Sequence, residues 1–137
     1  MSEPASEYVR RIAALLVDGY PGDCALHAAR LAELLIAGGE RPWIARLRDR
    51  QQTEHGVFHG PLIPRSLRGR HAQTWTTHYV VCVNDVAYDP LASEAVPLHE
   101  YAERVFGREI PIETFIDEIR VAQLFASGDL LATVRRG

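Results

Sequence analysis

The chain has 137 residues, of which 47% are hydrophobic and 24% are charged, values that are ordinary for one soluble globular domain. A formal net charge of −3 argues against a general nucleic-acid-binding protein, because phosphate binding depends on accumulated positive charge. No apolar run approaches the roughly 18 residues of a membrane span, and residues 1–7 lack the features of a secretory signal. We therefore expect a single cytoplasmic domain over residues 1–137, without a membrane partner. Delivery by a specialised secretion system stays open.

The first third of the sequence predicts two helices. Residues 3–18 carry apolar side chains at helical spacing and are followed by the helix-breaking residues of the segment 19–22. A second helix is expected over residues 23–37, because Asp23 is a good N-cap residue and two glycines follow the last apolar position. Its apolar stripe begins with Cys24, which places this cysteine in the first helical turn, on the face that points inward.

The middle of the sequence predicts a strand, a long loop and a β-hairpin. Side chains alternate over residues 43–48, as in a strand, whereas residues 50–73 show little periodicity and predict a long loop or lid. Residues 76–89 alternate again on both sides of Asn84-Asp85, two residues that tolerate the positive φ of a tight turn. We expect a hairpin there that ends before Pro90.

The last third predicts less regular structure. A helix is expected over residues 97–106, and a further helix within residues 115–125. Residues 130–134 predict a strand, although their short apolar run fits more than one state. Together with the earlier elements, these predictions indicate an α+β domain in which N-terminal helices pack on a small antiparallel sheet.

The hairpin register brings a histidine and an aspartate together. If Asn84 and Asp85 form the loop, Val80 pairs with Asp89, and His78 lies diagonally from Asp89 on the same face. Their Cβ atoms would then lie less than about 7–8 Å apart, which imidazole and carboxylate side chains can bridge. Such a carboxylate orients the imidazole and leaves its second nitrogen for a thiol.

Cys24 is the thiol that this histidine is expected to activate. A cysteine in a first helical turn meets free backbone N–H groups and the positive end of the helix dipole, which favour the thiolate. The same N–H groups can receive the oxyanion of a tetrahedral intermediate. We expect Cys82, which lies between valines on a strand, to have a packing role, and His27 to have a surface or supporting role.

These residues carry a family resemblance. The segment 22–28 (GDCALHA), the leucine-rich helix that ends at Gly38-Gly39, then 78–81 (HYVV) and 88–90 (YDP) resemble the transglutaminase-like core of the papain-fold superfamily. The resemblance covers about residues 20–107 and extends to the compact papain-fold domains of bacterial toxins and effectors that act as deamidases or proteases. The family tryptophan that often follows the nucleophile is absent, since Ala25 stands there.

The resemblance implies a function and a set of site residues. It implies acyl transfer through a thioester on Cys24, with His78 as base and Asp89 orienting it, in a cysteine protease, glutamine deamidase or transglutaminase. A protein or peptide is the implied substrate, and no cofactor is implied. Tyr20, Gln73 and Trp75 are candidates for substrate binding or oxyanion donation by their positions.

Two other classes of function remain open. Cys24-x-x-His27 and His78-x-x-x-Cys82 contain four residues of the types that bind zinc, although i, i+4 positions on a strand lie about 13 Å apart. The alternative without metal is a non-catalytic protein-binding module that keeps the same fold. The chain also contains a locally basic group that could recruit an acidic partner, formed by Arg46, Arg48, Arg65, Arg68 and Arg70.

Overall fold

The computed structural model describes residues 3–15, 24–65 and 75–137, and contains both helices and strands in these ranges. The helices are α1 (Glu3–Leu15), α2 (Cys24–Ala37), α3 (Leu98–Phe106), α4 (Glu118–Ser127) and α5 (Leu130–Arg136). The strands are β1 (Trp43–Leu47), β2 (Asp49–Thr53), β3 (Gly56–Gly60), β4 (His78–Val83), β5 (Val86–Tyr88), β6 (Val96–Pro97) and β7 (Ile112–Ile116). A single 3₁₀ turn, Pro90–Ala92, follows β5.

Five of the strands form one antiparallel sheet in the order β6-β5-β4-β1-β7. β2 and β3 form a separate two-stranded ribbon. The expected α+β class is confirmed, and β4, which begins with His78, is the central strand of the sheet.

Helices pack on both faces of this sheet, and β4 carries apolar side chains on each face. Tyr79 and Val81 pack with side chains from α1, α2, α4 and α5. Val80 and Cys82 pack on the opposite face with side chains from α3. The predicted alternation is therefore present. The face of β4 that carries His78 also belongs to a buried core.

The predicted hairpin register is confirmed. Val83 pairs with Val86 and Val81 with Tyr88, and Asn84 has the positive φ of 50° that the turn needs. The backbone N–H of Leu98 donates to the carbonyl of Asp85 at 2.7 Å, which ties the start of α3 to this turn.

Three elements differ from the expectations. The predicted loop over residues 50–73 contains the β2–β3 ribbon, whose side chains are mostly exposed on both faces and therefore show no apolar alternation. Residues 130–134 belong to α5 rather than to a strand, because burial of Leu130 and Val134 four residues apart suits one helix face. Within residues 115–125, β7 ends and α4 begins after its N-cap, Asp117.

Several expected features lie outside the described residues, namely residues 16–18 of the first helix, the N-cap Asp23, and residues 66–73 of the predicted loop. In the part of the chain that is described, no helix is both long and apolar enough to cross a membrane.

Candidate active site

His78 and Asp89 form a buried hydrogen-bonded pair at one end of the β4–β5 hairpin. His78 is the first residue of β4, and Asp89 directly follows β5. Nε2 of His78 lies 3.0 Å from Oδ2 of Asp89, and the two side chains are 0% and 4% exposed. The diagonal contact that the register predicts is therefore present, and it is shielded from water.

The carboxylate of Asp89 is directed to this pair rather than to its own backbone. Asp89 occupies the N-cap position of the 3₁₀ turn, where aspartate commonly accepts a hydrogen bond from the backbone, but its side chain makes no such bond. Instead, Oδ2 accepts a second hydrogen bond from the hydroxyl of Tyr101, a fully buried residue of α3. One carboxylate oxygen thus joins a strand histidine to a helix tyrosine.

Cys24 lies close to the same histidine. It is the first residue of α2, is partly exposed, and packs against both core clusters, so it lies where the two cores meet. Cys24 interacts with His78 and helps to raise the pKa of its imidazole. Because Nε2 faces Asp89, Nδ1 is the ring nitrogen that remains for the thiol. The three predicted catalytic residues are therefore brought together.

The surroundings of His78 favour its protonated form. Burial by itself lowers the pKa of this imidazole, but the charge and hydrogen bond of Asp89 and the interactions with Cys24 outweigh it and raise the pKa to about 10. A protonated imidazole next to a thiol is the arrangement that stabilises a thiolate nucleophile.

Two aromatic rings hold the imidazole plane. The indole of Trp75 stacks on His78 with ring centroids 5.7 Å apart and an interplanar angle of 10°. Phe106 of α3 meets the same imidazole edge-on, at 6.0 Å and 73°. Of the three predicted substrate or oxyanion candidates, Trp75 thus lies at the site, whereas Tyr20 and Gln73 lie outside the described residues.

The other cysteine and histidine of interest lie apart from this chemistry. Cys82 is fully buried, and burial raises the pKa of its thiol, as expected for a packing residue. His27 is buried rather than at the surface. Nδ1 of its ring lies 2.8 Å from the hydroxyl of Tyr8, at the contact between α1 and α2. Residues 3–15, 24–65 and 75–137 contain no group of three or more side chains arranged to hold a metal ion.

The basic residues are divided between two settings. Arg46 and Arg48 both form ion pairs with Glu113, at 2.7 and 2.9 Å, so a carboxylate of the same chain already pairs with their charges. Arg65 is exposed, and Arg68 and Arg70 lie outside the described residues. Any acidic partner would therefore have to compete with Glu113 at the first two positions.

Sequence reasoning missed the contribution of α3 to the site. The apolar stripe of this helix was recognisable, and it contains Tyr101, whose hydroxyl needs a polar partner once the ring is buried. That requirement was the available signal, although the sequence does not say which acceptor satisfies it.

No protein-family model, curated protein or solved structure matches this chain.

Proposed function

We propose that this protein is a cysteine-dependent acyl-transfer enzyme that acts on an amide or thioester through Cys24, His78 and Asp89. The observation that carries the proposal is the buried 3.0 Å hydrogen bond between His78 and Asp89, together with the interaction of Cys24 with the same imidazole.

The proposed reaction proceeds in two stages. The thiolate of Cys24, paired with protonated His78, attacks the carbonyl carbon through Sγ, and the negative charge moves to the carbonyl oxygen. Backbone N–H groups at the start of α2 are suited to receive this oxyanion. The tetrahedral intermediate collapses to a thioester, and the leaving group departs with the proton from His78. Water or an amine then attacks the thioester by the reverse sequence.

The α+β architecture supports a finer proposal, a papain-like or transglutaminase-like core. A helix that begins with the cysteine, a following strand that begins with the histidine, and an aspartate after the next strand are the parts that such a core requires. A protein or peptide is the proposed substrate. Protease, glutamine deamidase and transglutaminase activities are the proposed reaction types, as in the toxin and effector domains that the sequence resembles.

The first test compares the two cysteines within one protein. Iodoacetamide labelling, followed by peptide mass spectrometry across pH, measures Cys24 and uses buried Cys82 as the internal control. Cys24 should label quickly well below pH 8, and this reactivity should be lost in His78→Gln and Asp89→Asn variants that melt cooperatively. An ordinary thiol profile for Cys24, unchanged in both variants, would refute the proposal.

The second test looks for the acyl-enzyme intermediate on Cys24. Incubation with an activated acyl ester or thioester should give an acyl adduct on Cys24 that is visible in the intact mass, and the Cys24→Ala variant should give none. Addition of a primary amine then separates hydrolysis from transamidation, because an amine-dependent product forms only when the acceptor is not water.

One observation favours a protein-binding module as the second candidate. Val57 and Phe58 on the β2–β3 ribbon are about half exposed, at 46% and 52%, and as neighbours on one strand they offer an apolar side chain on each face of the ribbon to a partner. An inert Cys24, together with a protein partner whose binding is lost in Phe58→Ser, would favour this candidate.

A further inference from the structure

Tyr101 of α3 is connected to the reacting thiol through two intermediate side chains. Its hydroxyl donates to Oδ2 of Asp89, the same oxygen that lies 3.0 Å from Nε2 of His78, and His78 in turn interacts with Cys24. We propose that Tyr101 is a positioning residue of the Cys24 site, which acts on His78 by holding Asp89 as an oriented carboxylate. This inference rests on the proposed function.

The backbone around Asp89 leaves its orientation to side-chain contacts. The side chain makes no capping hydrogen bond in the 3₁₀ turn that it begins. Two donors on one oxygen, Tyr101 from the helix and His78 from the strand, fix the carboxylate between them. If the hydroxyl is removed, the buried carboxylate loses one of the hydrogen bonds that stabilise its charged form.

The position of Tyr101 is itself fixed by the fold. The hairpin turn accepts the N–H of Leu98, the first residue of α3, so the helix starts at a defined point on the hairpin. Tyr101 is fully buried, and its ring meets Phe106 at 6.3 Å and 73°, while Phe106 also meets the imidazole of His78. α3 therefore contacts the pair through both a hydrogen bond and an aromatic edge.

Loss of the hydroxyl has a predictable direction. Among the described residues, the titratable groups that interact with His78 include Cys24 of α2 and Asp89, and Tyr101 donates to Asp89. With a less stable carboxylate, the imidazolium loses part of its counter-charge and supports the thiolate less well. The pH midpoint of Cys24 labelling should then move up towards that of an ordinary thiol, about 8.5.

The experiment is iodoacetamide labelling of Cys24 across pH in the full chain, in wild type, Tyr101→Phe, Asp89→Asn and the double variant. We expect Tyr101→Phe to slow labelling at pH 7 by about three- to tenfold and to raise the midpoint. In the Asp89→Asn background the same change should have no further effect, because the carboxylate through which Tyr101 acts on His78 is already absent. A loss caused only by weaker packing would add to the effect of Asp89→Asn.

Tyr88→Phe is the matched control. Tyr88 is also buried and stands one residue before Asp89, but it packs in the core on the other face of the sheet. It should leave the labelling profile unchanged. Should Tyr101→Phe fail to fold, site-specific replacement of Tyr101 by 3-fluorotyrosine keeps the ring and gives a stronger donor, which should lower the midpoint instead.

The outcomes separate this inference from the proposed function. A shifted midpoint in Asp89→Asn with an unchanged profile in Tyr101→Phe overturns the role of Tyr101 and leaves the proposed function standing. An unchanged profile in both Asp89→Asn and His78→Gln overturns the proposed function and this inference together.

Discussion

The indole of Trp75 lies nearly parallel to the imidazole of His78, with an interplanar angle of 10° and ring centroids 5.7 Å apart. The backbone of Trp75 is anchored as well, because its carbonyl accepts the N–H of Leu62 at 2.7 Å. A fixed aromatic face next to a protonated imidazole attracts its positive charge and excludes water from it. Trp75 is therefore suited to preserve the form of His78 that supports a thiolate.

Replacement of Trp75 by leucine should slow iodoacetamide labelling of Cys24 at pH 7 by about two- to thirtyfold, since a cation–π contact of this kind contributes about 0.5–2 kcal/mol. Trp75→Phe should retain most of the rate, because it keeps an aromatic face. The control is Trp43→Phe, which alters the other tryptophan, whose indole N–H donates to the carbonyl of Asn84 at the far end of the hairpin. Equal rates in wild type and Trp75→Leu would contradict the role of the stack.

Glu113 forms ion pairs with Arg46 of β1 and with Arg48, which follows β1. These ion pairs should stabilise the fold mainly above acidic pH. The hydrogen bond from Arg46 is the main reason why the pKa of Glu113 is lowered from its ordinary 4.5. A lowered folded-state pKa gives stability that is present above 4.5 and is lost as the pH falls through the folded value. Because this carboxylate is 46% exposed, its contribution is small.

Glu113→Gln should therefore reduce the free energy of unfolding at pH 7 by less than about 1 kcal/mol, measured by urea denaturation. The difference from wild type should shrink as the pH falls below 4.5. Glu94→Gln, which removes a single exposed pair with Arg104, should cost less still. A cost for Glu113→Gln that persists unchanged in acid would show that packing, rather than charge, is responsible.

The sequence could predict the local geometry that forms the site. Alternation on both sides of Asn84-Asp85 determines the hairpin register, and the register alone brings His78 next to Asp89. The first-turn position of Cys24 follows from helix periodicity in the same way. These features depend on neighbours in sequence or across one tight turn, where side-chain direction is set by backbone geometry.

Features that depend on distant parts of the chain could not be predicted. The hydrogen bond from Tyr101 to Asp89 requires α3 to pack over the hairpin, and nothing in the helical pattern specifies that acceptor. The β2–β3 ribbon lacks a buried face, so it has no hydrophobic alternation to recognise. The short apolar run of α5 fits either a helix or a strand until its packing partners are known.

Cys82 should be inert in the native protein. It is fully buried among apolar neighbours, and burial raises the pKa of its thiol, so neither access nor thiolate formation is favourable. Its labelling should require unfolding and should accelerate with urea, whereas labelling of Cys24 should not need denaturant. Cys82→Ala should cost about 1 kcal/mol of stability and leave Cys24 labelling unchanged. Labelling of Cys82 in native buffer at a rate comparable with that of Cys24 would contradict its buried packing role.

The His78–Asp89 pair should make stability depend on pH in the alkaline range. The folded-state pKa of His78 is raised from 6.5 to about 10, chiefly because the interactions with Asp89 overcome the effect of burial. Between these values the folded protein binds more protons than the unfolded chain, so stability falls as the pH rises. The contribution is complete below pH 6.5 and lost above about pH 10.

Urea denaturation of Cys24→Ala and of the Cys24→Ala/Asp89→Asn double variant at pH 6, 7, 8 and 9 measures this contribution as the difference in unfolding free energy, because a thiolate at Cys24 would otherwise release the proton that His78 holds. The difference should be largest at pH 6 and should decrease with rising pH, at no more than about 1.4 kcal/mol per pH unit for one proton. Subtraction of the variant removes the titration of groups that both proteins share. A difference that stays constant from pH 6 to pH 9 would mean that His78 is not held protonated by Asp89, and the thiol of Cys24 would then lack its stabilising charge.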